Sequence, residues 1–130
     1  MLTLQKKLGI LLALVLISNH TSFGAEKNET ASWHSKSAPG VGSKTANGEK
    51  FDDKKLTCAT KHDKFGTRLK VTNVKNGKSV ICRVNDRGPH KRLKKRRVDL
   101  TQAAFKQISD SKHGLAQVSV TKVSSPKKKD

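Results

Sequence analysis

Two runs of alternating side chains, Arg68-Leu69-Lys70-Val71-Thr72-Asn73 and Ser79-Val80-Ile81-Cys82-Arg83-Val84, flank a Lys75-Asn76-Gly77-Lys78 segment. A period of two puts Leu69 and Val71 on one face of the first run and Val80, Cys82 and Val84 on one face of the second. Asn-Gly readily takes the positive-φ positions of a tight hairpin turn, so the spacing predicts a β-hairpin here. Further strands are expected at Thr30–His34, which carries the only tryptophan, at Leu56–Thr60, and around Ala116, Val118 and Val120. One helix is expected from Gln102 to Ser109, with Thr101 as its N-cap, an apolar stripe of Ala104, Phe105 and Ile108, and Gly114 ending the turn that follows. Several short strands and one helix in fewer than about 100 residues favour a small closed barrel, because closure removes exposed strand edges. There is no internal repeat and no sign of a second domain.

The first residues read as an address. Lys6 and Lys7 precede an apolar stretch from Leu8 to Ile17, and Ser22-Phe23-Gly24 offers small residues to a signal peptidase. This pattern predicts a signal peptide over residues 1–24, followed by a short linker at 25–29. A membrane-spanning helix needs roughly 20 apolar residues, and no cysteine follows the apolar run to carry a lipid. The expectation is an exported protein, periplasmic or secreted, with no transmembrane or lipid anchor. Residues 124–130, with Pro126 and three lysines, read as a disordered tail. In an oxidising compartment the two cysteines, Cys58 and Cys82, are either a structural disulfide or a pair of buried thiols. Two cysteines without spaced histidines make a poor metal site, so neither metal nor cofactor is expected.

The formal net charge is +18, which steers a protein toward polyanions. Single-strand nucleic-acid binders interleave basic residues with stacking aromatics, and four Phe, one Trp and no Tyr fit that poorly. An anionic cell wall or membrane surface suits an exported chain better. The densest cluster, His90 to Arg97, reads either as a polyanion patch or as a solvated basic loop.

Chemistry concentrates where the second hairpin strand runs into Asn85-Asp86-Arg87-Gly88-Pro89. A carboxylate at the end of a strand, on a Gly-Pro turn, projects from a rigid base. Arg83 and Arg87 flank Asp86, and nearby cations favour an ionised carboxylate where a general acid must hold a proton. Strand alternation turns Arg83 to the opposite face and leaves Arg87 as the neighbour. The bland alternative is that Asp86 only accepts hydrogen bonds from its turn.

Six segments in order, Ala31-Ser32-Trp33, Thr45–Phe51, Phe65–Asn73, Asn76–Val80, Val84–Pro89 and Val98–Thr101, resemble the rare lipoprotein A family over about residues 30–123. The resemblance implies a mainly β fold, a six-stranded double-psi β-barrel with one short helix, related to expansin and barwin domains. It also implies an exported, monomeric lytic transglycosylase. Such an enzyme cleaves naked peptidoglycan strands between N-acetylmuramic acid and N-acetylglucosamine, leaving 1,6-anhydro-muramic ends. The alternative of the same lineage is a noncatalytic wall-binding or wall-loosening module, and other anionic wall polymers are possible partners. Asp86 matches the family's groove aspartate, and Glu49 its acidic loop, where it would orient sugar or water. Thr60 stands where the family commonly has histidine. His62, two residues on, shares that strand face but is displaced by roughly 6.5–7 Å. Arg87 would hold the lactyl carboxylate of muramic acid, with Asn85 and Thr60 also lining the groove. Trp33 reads as either a sugar-stacking platform or the barrel's aromatic plug.

Overall fold

The computed structural model describes residues 29–38 and 41–124. The expected signal peptide, the linker before Glu29 and the tail after Ser124 lie outside the described residues. Six strands, β1 (Glu29–His34), β2 (Thr57–Ala59), β3 (Arg68–Asn73), β4 (Ser79–Asp86), β5 (Arg96–Thr101) and β6 (Leu115–Lys122), close in the spatial order β1-β5-β2-β4-β3-β6. Among the described residues one α-helix, α1 (Gln102–Lys106), follows β5. The pairs β1/β5 and β2/β4 are parallel and the rest antiparallel, so the chain crosses the barrel between partners that are distant in sequence. This is the mainly β, six-stranded barrel with one short helix that the resemblance implies.

The hairpin forms as its pattern dictates. Leu69 pairs with Cys82 and Val71 with Val80, and all four are buried. Gly77 supplies φ of 73° at the turn. The interior is filled by these residues with Val84, Val98, Leu100, Ala31, Ala116 and Val118, and α1 closes one end with Ala104 and Phe105. Phe105 is the largest fully buried side chain among the described residues. Cys58 on β2 and Cys82 on β4 are joined by a disulfide, with Cα atoms 5.8 Å apart, inside this core.

Two local features differ from the residue-level reading. Arg96–Thr101, whose first residues looked like part of a basic loop, is strand β5, inserted between β1 and β2. Its alternation buries Val98 and Leu100, while Arg97 reaches the carboxylate of Asp63 at 2.7 Å, so its charges face away from the core. The helix is also shorter than the expected Gln102–Ser109. Thr101 does cap it, its Oγ1 accepting from the Ala104 N–H at 3.3 Å. At the other end the carbonyl of Ile108 accepts from the side-chain amides of Asn73 and Asn76, at 2.9 and 3.0 Å. That bond set pins the chain to the hairpin turn, so Gln107–Ser109 complete a turn rather than a helix, with Ile108 still in the core.

Candidate functional site

The end of β4 is irregular in a way that creates the site. Cys58 pairs with Val84 but Ala59 pairs with Asp86, a bulge that interrupts the alternation. Val84 and Asn85 are both buried as a result, and Asp86 is left half-exposed at the strand terminus. Its Oδ1 accepts from two backbone amides, Ala46 at 2.9 Å and Arg87 at 2.8 Å. The carboxyl group is thereby oriented by the loop before β2 and by its own turn. Gly88, at φ of 148°, carries the chain away in a conformation that side-chain-bearing residues rarely adopt.

Asp86 opens into a cavity of about 430 Å³ at the barrel end. Around it stand His34 from the end of β1, Asp99 from β5, Phe51 and Lys44 from the long β1–β2 connection, and Arg87. Neither flanking arginine offers its guanidinium to Asp86. Arg83 forms a two-pronged pair with Glu49, at 2.5 and 2.8 Å. Arg87 donates to the carbonyl of Asp63 at 2.8 Å and lies 3.9 Å above the Phe65 ring. The neighbouring cations are thus drawn off by partners of their own.

Glu49 has a different place from the one expected of a groove acid. It is not among the residues lining the Asp86 cavity. Its carboxylate also accepts from the side-chain amides of Asn47 at 2.8 Å and Asn85 at 3.3 Å. The Arg83 and Asn47 hydrogen bonds, with Asn85 and the Arg83 charge adding to them, hold its pKa down to about 2, so it is a fixed anion. It clamps the Thr45–Glu49 turn onto β4, a turn also held by the Asn47 N–H to the carbonyl of Asn85 at 3.2 Å. Because that turn carries the Ala46 amide, Glu49 positions Asp86 at one remove. A folded-state pKa below the ordinary 4.5 contributes stability that is present above pH 4.5 and lost as pH falls toward 2. Glu49→Gln should therefore flatten acid unfolding across that window. It should cost at most about 1 kcal/mol at neutral pH, because both side chains are more than a third exposed; urea unfolding at pH 7 and at pH 3 measures both.

The other expected groove residues also separate. His62 is exposed and lines a different cavity with Lys61, Asp63, Arg97 and Lys122, so the two-residue displacement takes it out of the site. Thr60 is fully buried, and its hydroxyl accepts from the Asp63 N–H at 3.3 Å, which makes it part of the turn after β2 and no part of the cavity wall. Asn85 is buried and points its amide at Glu49. Trp33 packs against the core, 6.3 Å from Phe105 between ring centroids, and donates Nε1–H to the carbonyl of Ser111 at 2.9 Å. It is a plug at the helix end, on the strand face opposite His34. Of the residues singled out from the sequence, Asp86 and Arg87 line the cavity.

His34 and Asp99 were not among the expected site residues. His34 Nδ1 lies 2.8 Å from Asp99 Oδ2, an ion-pair distance, although the N–H direction is off the line to that oxygen. Asp99 Oδ1 accepts from the Ser32 hydroxyl at 3.2 Å, and the imidazole stacks on Phe51 with centroids 4.9 Å apart. Burial works hardest against the imidazolium. Contact with Asp99, its charge and the charges of Asp86 and Asp53 together outweigh it, and the pKa of His34 is raised above 6.5. The sequence held one clue. Alternation in β1 puts Ser32 and His34 together, opposite Ala31 and Trp33, as a polar face on a strand otherwise committed to the core.

A family model described as lytic transglycolase matches residues 26–120. Curated relatives include the "Probable endolytic peptidoglycan transglycosylase RlpA" of Synechocystis, 43% identical over 72% of this chain and 28% of the relative. The "Endolytic peptidoglycan transglycosylase RlpA" of Pseudomonas aeruginosa is 44% identical over 70% and 26%, and that of Rickettsia felis 38% over 78% and 44%. The chain thus spans between about a quarter and less than half of these relatives' lengths. Two solved structures share the fold over 75% of this chain. They are a Streptomyces papain inhibitor (TM-score 0.59, 17% identity, 93% of that chain) and an expansin of Clavibacter michiganensis (TM-score 0.58, 22% identity, 50% of that chain). A bulged strand presenting Asp86, a closed six-stranded barrel and these matches lead to one assignment: the chain belongs to the lytic transglycolase family, as a rare lipoprotein A-like double-psi β-barrel.

Proposed function

We propose that this barrel is the catalytic unit of an exported endolytic peptidoglycan transglycosylase, acting on naked glycan strands. The names of its relatives favour that activity, and the expected signal peptide and the high positive charge suit a protein that works in an anionic wall. The observation that carries the reading is Asp86, a carboxyl oriented by two backbone amides on Oδ1 with its other oxygen left for the cavity. The reaction requires one proton delivered to the glycosidic oxygen and one removed from the 6-hydroxyl of the muramyl residue, which then closes onto its own anomeric carbon. A single well-placed carboxyl is able to serve both transfers in turn, without the second carboxyl and the water of ordinary hydrolysis. Lys44 and Arg87, on the same wall, supply positive charge for the lactyl carboxylate.

Incubating the folded domain with stripped glycan strands and reading products by mass spectrometry tests this. New 1,6-anhydro-muramic ends are expected. Retained pull-down of wall material with no such ends would leave the barrel a noncatalytic glycan-binding module.

A further inference from the structure

The resemblance places a histidine at position 60, and here that position is a buried threonine turned into its own loop. The cavity nevertheless contains an imidazole, delivered from a different strand. His34 reaches it from the end of β1, where parallel pairing with β5 sets Ser32 beside Asp99 and His34 beside Thr101. That register places the Asp99 carboxylate between the Ser32 hydroxyl and His34 Nδ1. Nδ1 is buried against Asp99, so Nε2 is the nitrogen left to the cavity that Asp86 shares. A ring with one nitrogen 2.8 Å from a carboxylate and the other open to the cavity is an arrangement suited to a proton carrier. Phe51 against the ring face limits its rotation.

We propose that His34, oriented by Asp99, is a second catalytic residue that divides the proton transfers with Asp86. The inference rests on the transglycosylase reading. The Nε2–H of the imidazolium gives its proton to the bridging glycosidic oxygen as the bond from that oxygen to the anomeric carbon breaks. The 6-oxygen of the same muramyl residue forms the new bond to that carbon, and its proton passes to Asp86 Oδ2. Neutral His34 and protonated Asp86 result, and return of the proton from Asp86 to His34 restores both groups. No oxidant, metal or outside nucleophile enters. The charged groups facing His34 are Asp99 from β5, Asp86 from β4, Asp53 from the loop after Phe51, and Lys44 and Arg87 on the cavity wall. The acidic members favour the imidazolium against the cost of burial, so activity falls as pH rises through its raised titration point.

The test is the pH profile of anhydro-end release from naked glycan strands by wild type, His34→Gln and Asp99→Asn, with thermal melts to establish that each is folded. His34→Gln is expected to lower kcat on the order of 10²-fold with KM little changed, and to lose the alkaline limb of the profile. Asp99→Asn should keep the limb but move it to lower pH, because the partner that favours the imidazolium has gone; a merely structural role predicts no such movement. NMR titration of the His34 ring, in wild type and in Asp99→Asn, reads the same displacement without turnover. A folded His34→Gln variant that retains wild-type kcat and an unchanged limb would overturn the division of labour and return both transfers to Asp86. Absence of anhydro ends from wild type is a different failure, since it removes the transglycosylase reading itself.

Discussion

Asp86→Asn is expected to reduce the release of anhydro-muramic ends by about 10³-fold or more, while leaving the barrel folded and still able to retain glycan. The asparagine keeps an oxygen at Oδ1, so the amides of Ala46 and Arg87 find the acceptor they use now. What disappears is exchange of a proton at neutral pH. General acid–base catalysis contributes about 10²–10⁴-fold in rate, and a thousandfold loss is about 4 kcal/mol of transition-state stabilisation. Asparagine is a better probe than alanine, which would leave two amide donors without their acceptor and confuse loss of chemistry with loss of the turn. Mass-spectrometric quantitation of product ends, paired with a glycan pull-down and a thermal melt, separates the contributions. Cleavage within tenfold of wild type would show that protons do not move through this carboxyl, and the binding-module reading would then account better for the site.

Opening the disulfide is expected to cost about 3.5 kcal/mol. Cys58 and Cys82 are 24 positions apart, and constraining a loop of that length in the unfolded chain is worth roughly this much in the chain-entropy model. For a domain of this size the loss corresponds to a fall in Tm of roughly 15–25 °C. The barrel is sensitive because it is small: its interior is mostly valine, leucine and alanine around Phe105, and few large side chains contribute burial. Both sulfurs lie in that interior, 1% and 0% exposed, so a reductant has access mainly through opened states. Thermal unfolding in reducing and non-reducing buffer measures the effect, with Cys58→Ala/Cys82→Ala as a control that also removes packing volume. A shift below about 5 °C would mean that the barrel holds together without the cross-link. The same loss is expected in any reducing environment.

How legible this molecule was depended on the range of each interaction. The hairpin was legible because alternation and an Asn-Gly turn are local: Leu69, Val71, Val80 and Cys82 declare their face within a few residues of one another. Strand β5 was obscured because Arg96, Arg97 and Asp99 outnumber its apolar residues. Val98 and Leu100 become core only when β1 and β2 bond to either side of them. The helix stops three residues short of its expected end because that end is set by Asn73 and Asn76, side chains from the far hairpin that donate to the Ile108 carbonyl.

The candidate site divides along the same line. A strand running into Asn85-Asp86-Arg87-Gly88-Pro89 announces a presented carboxylate by itself, since strand end and Gly-Pro turn are adjacent in the chain. The fate of the flanking arginines was not so encoded. Arg83 meets Glu49 across 34 positions, and Arg87 meets Asp63 across 24. The same closure separated Trp33 from the groove and carried His62 to another cavity, while Thr60 turned inward.

By itself, then, the sequence determined the hairpin, the apolar faces of most strands and the presented Asp86, all of which follow from backbone periodicity and turn chemistry over a few residues. Tertiary structure alone decided that Glu49 is a clamped anion and that the imidazole beside Asp86 comes from His34. Both depend on barrel closure, which sets parallel strands β1 and β5 side by side and brings residues as far apart as Ser32 and Asp99 within hydrogen-bond reach. Side-chain pairing at such separations leaves no period along the chain, because it is fixed by register between strands and not by spacing within one.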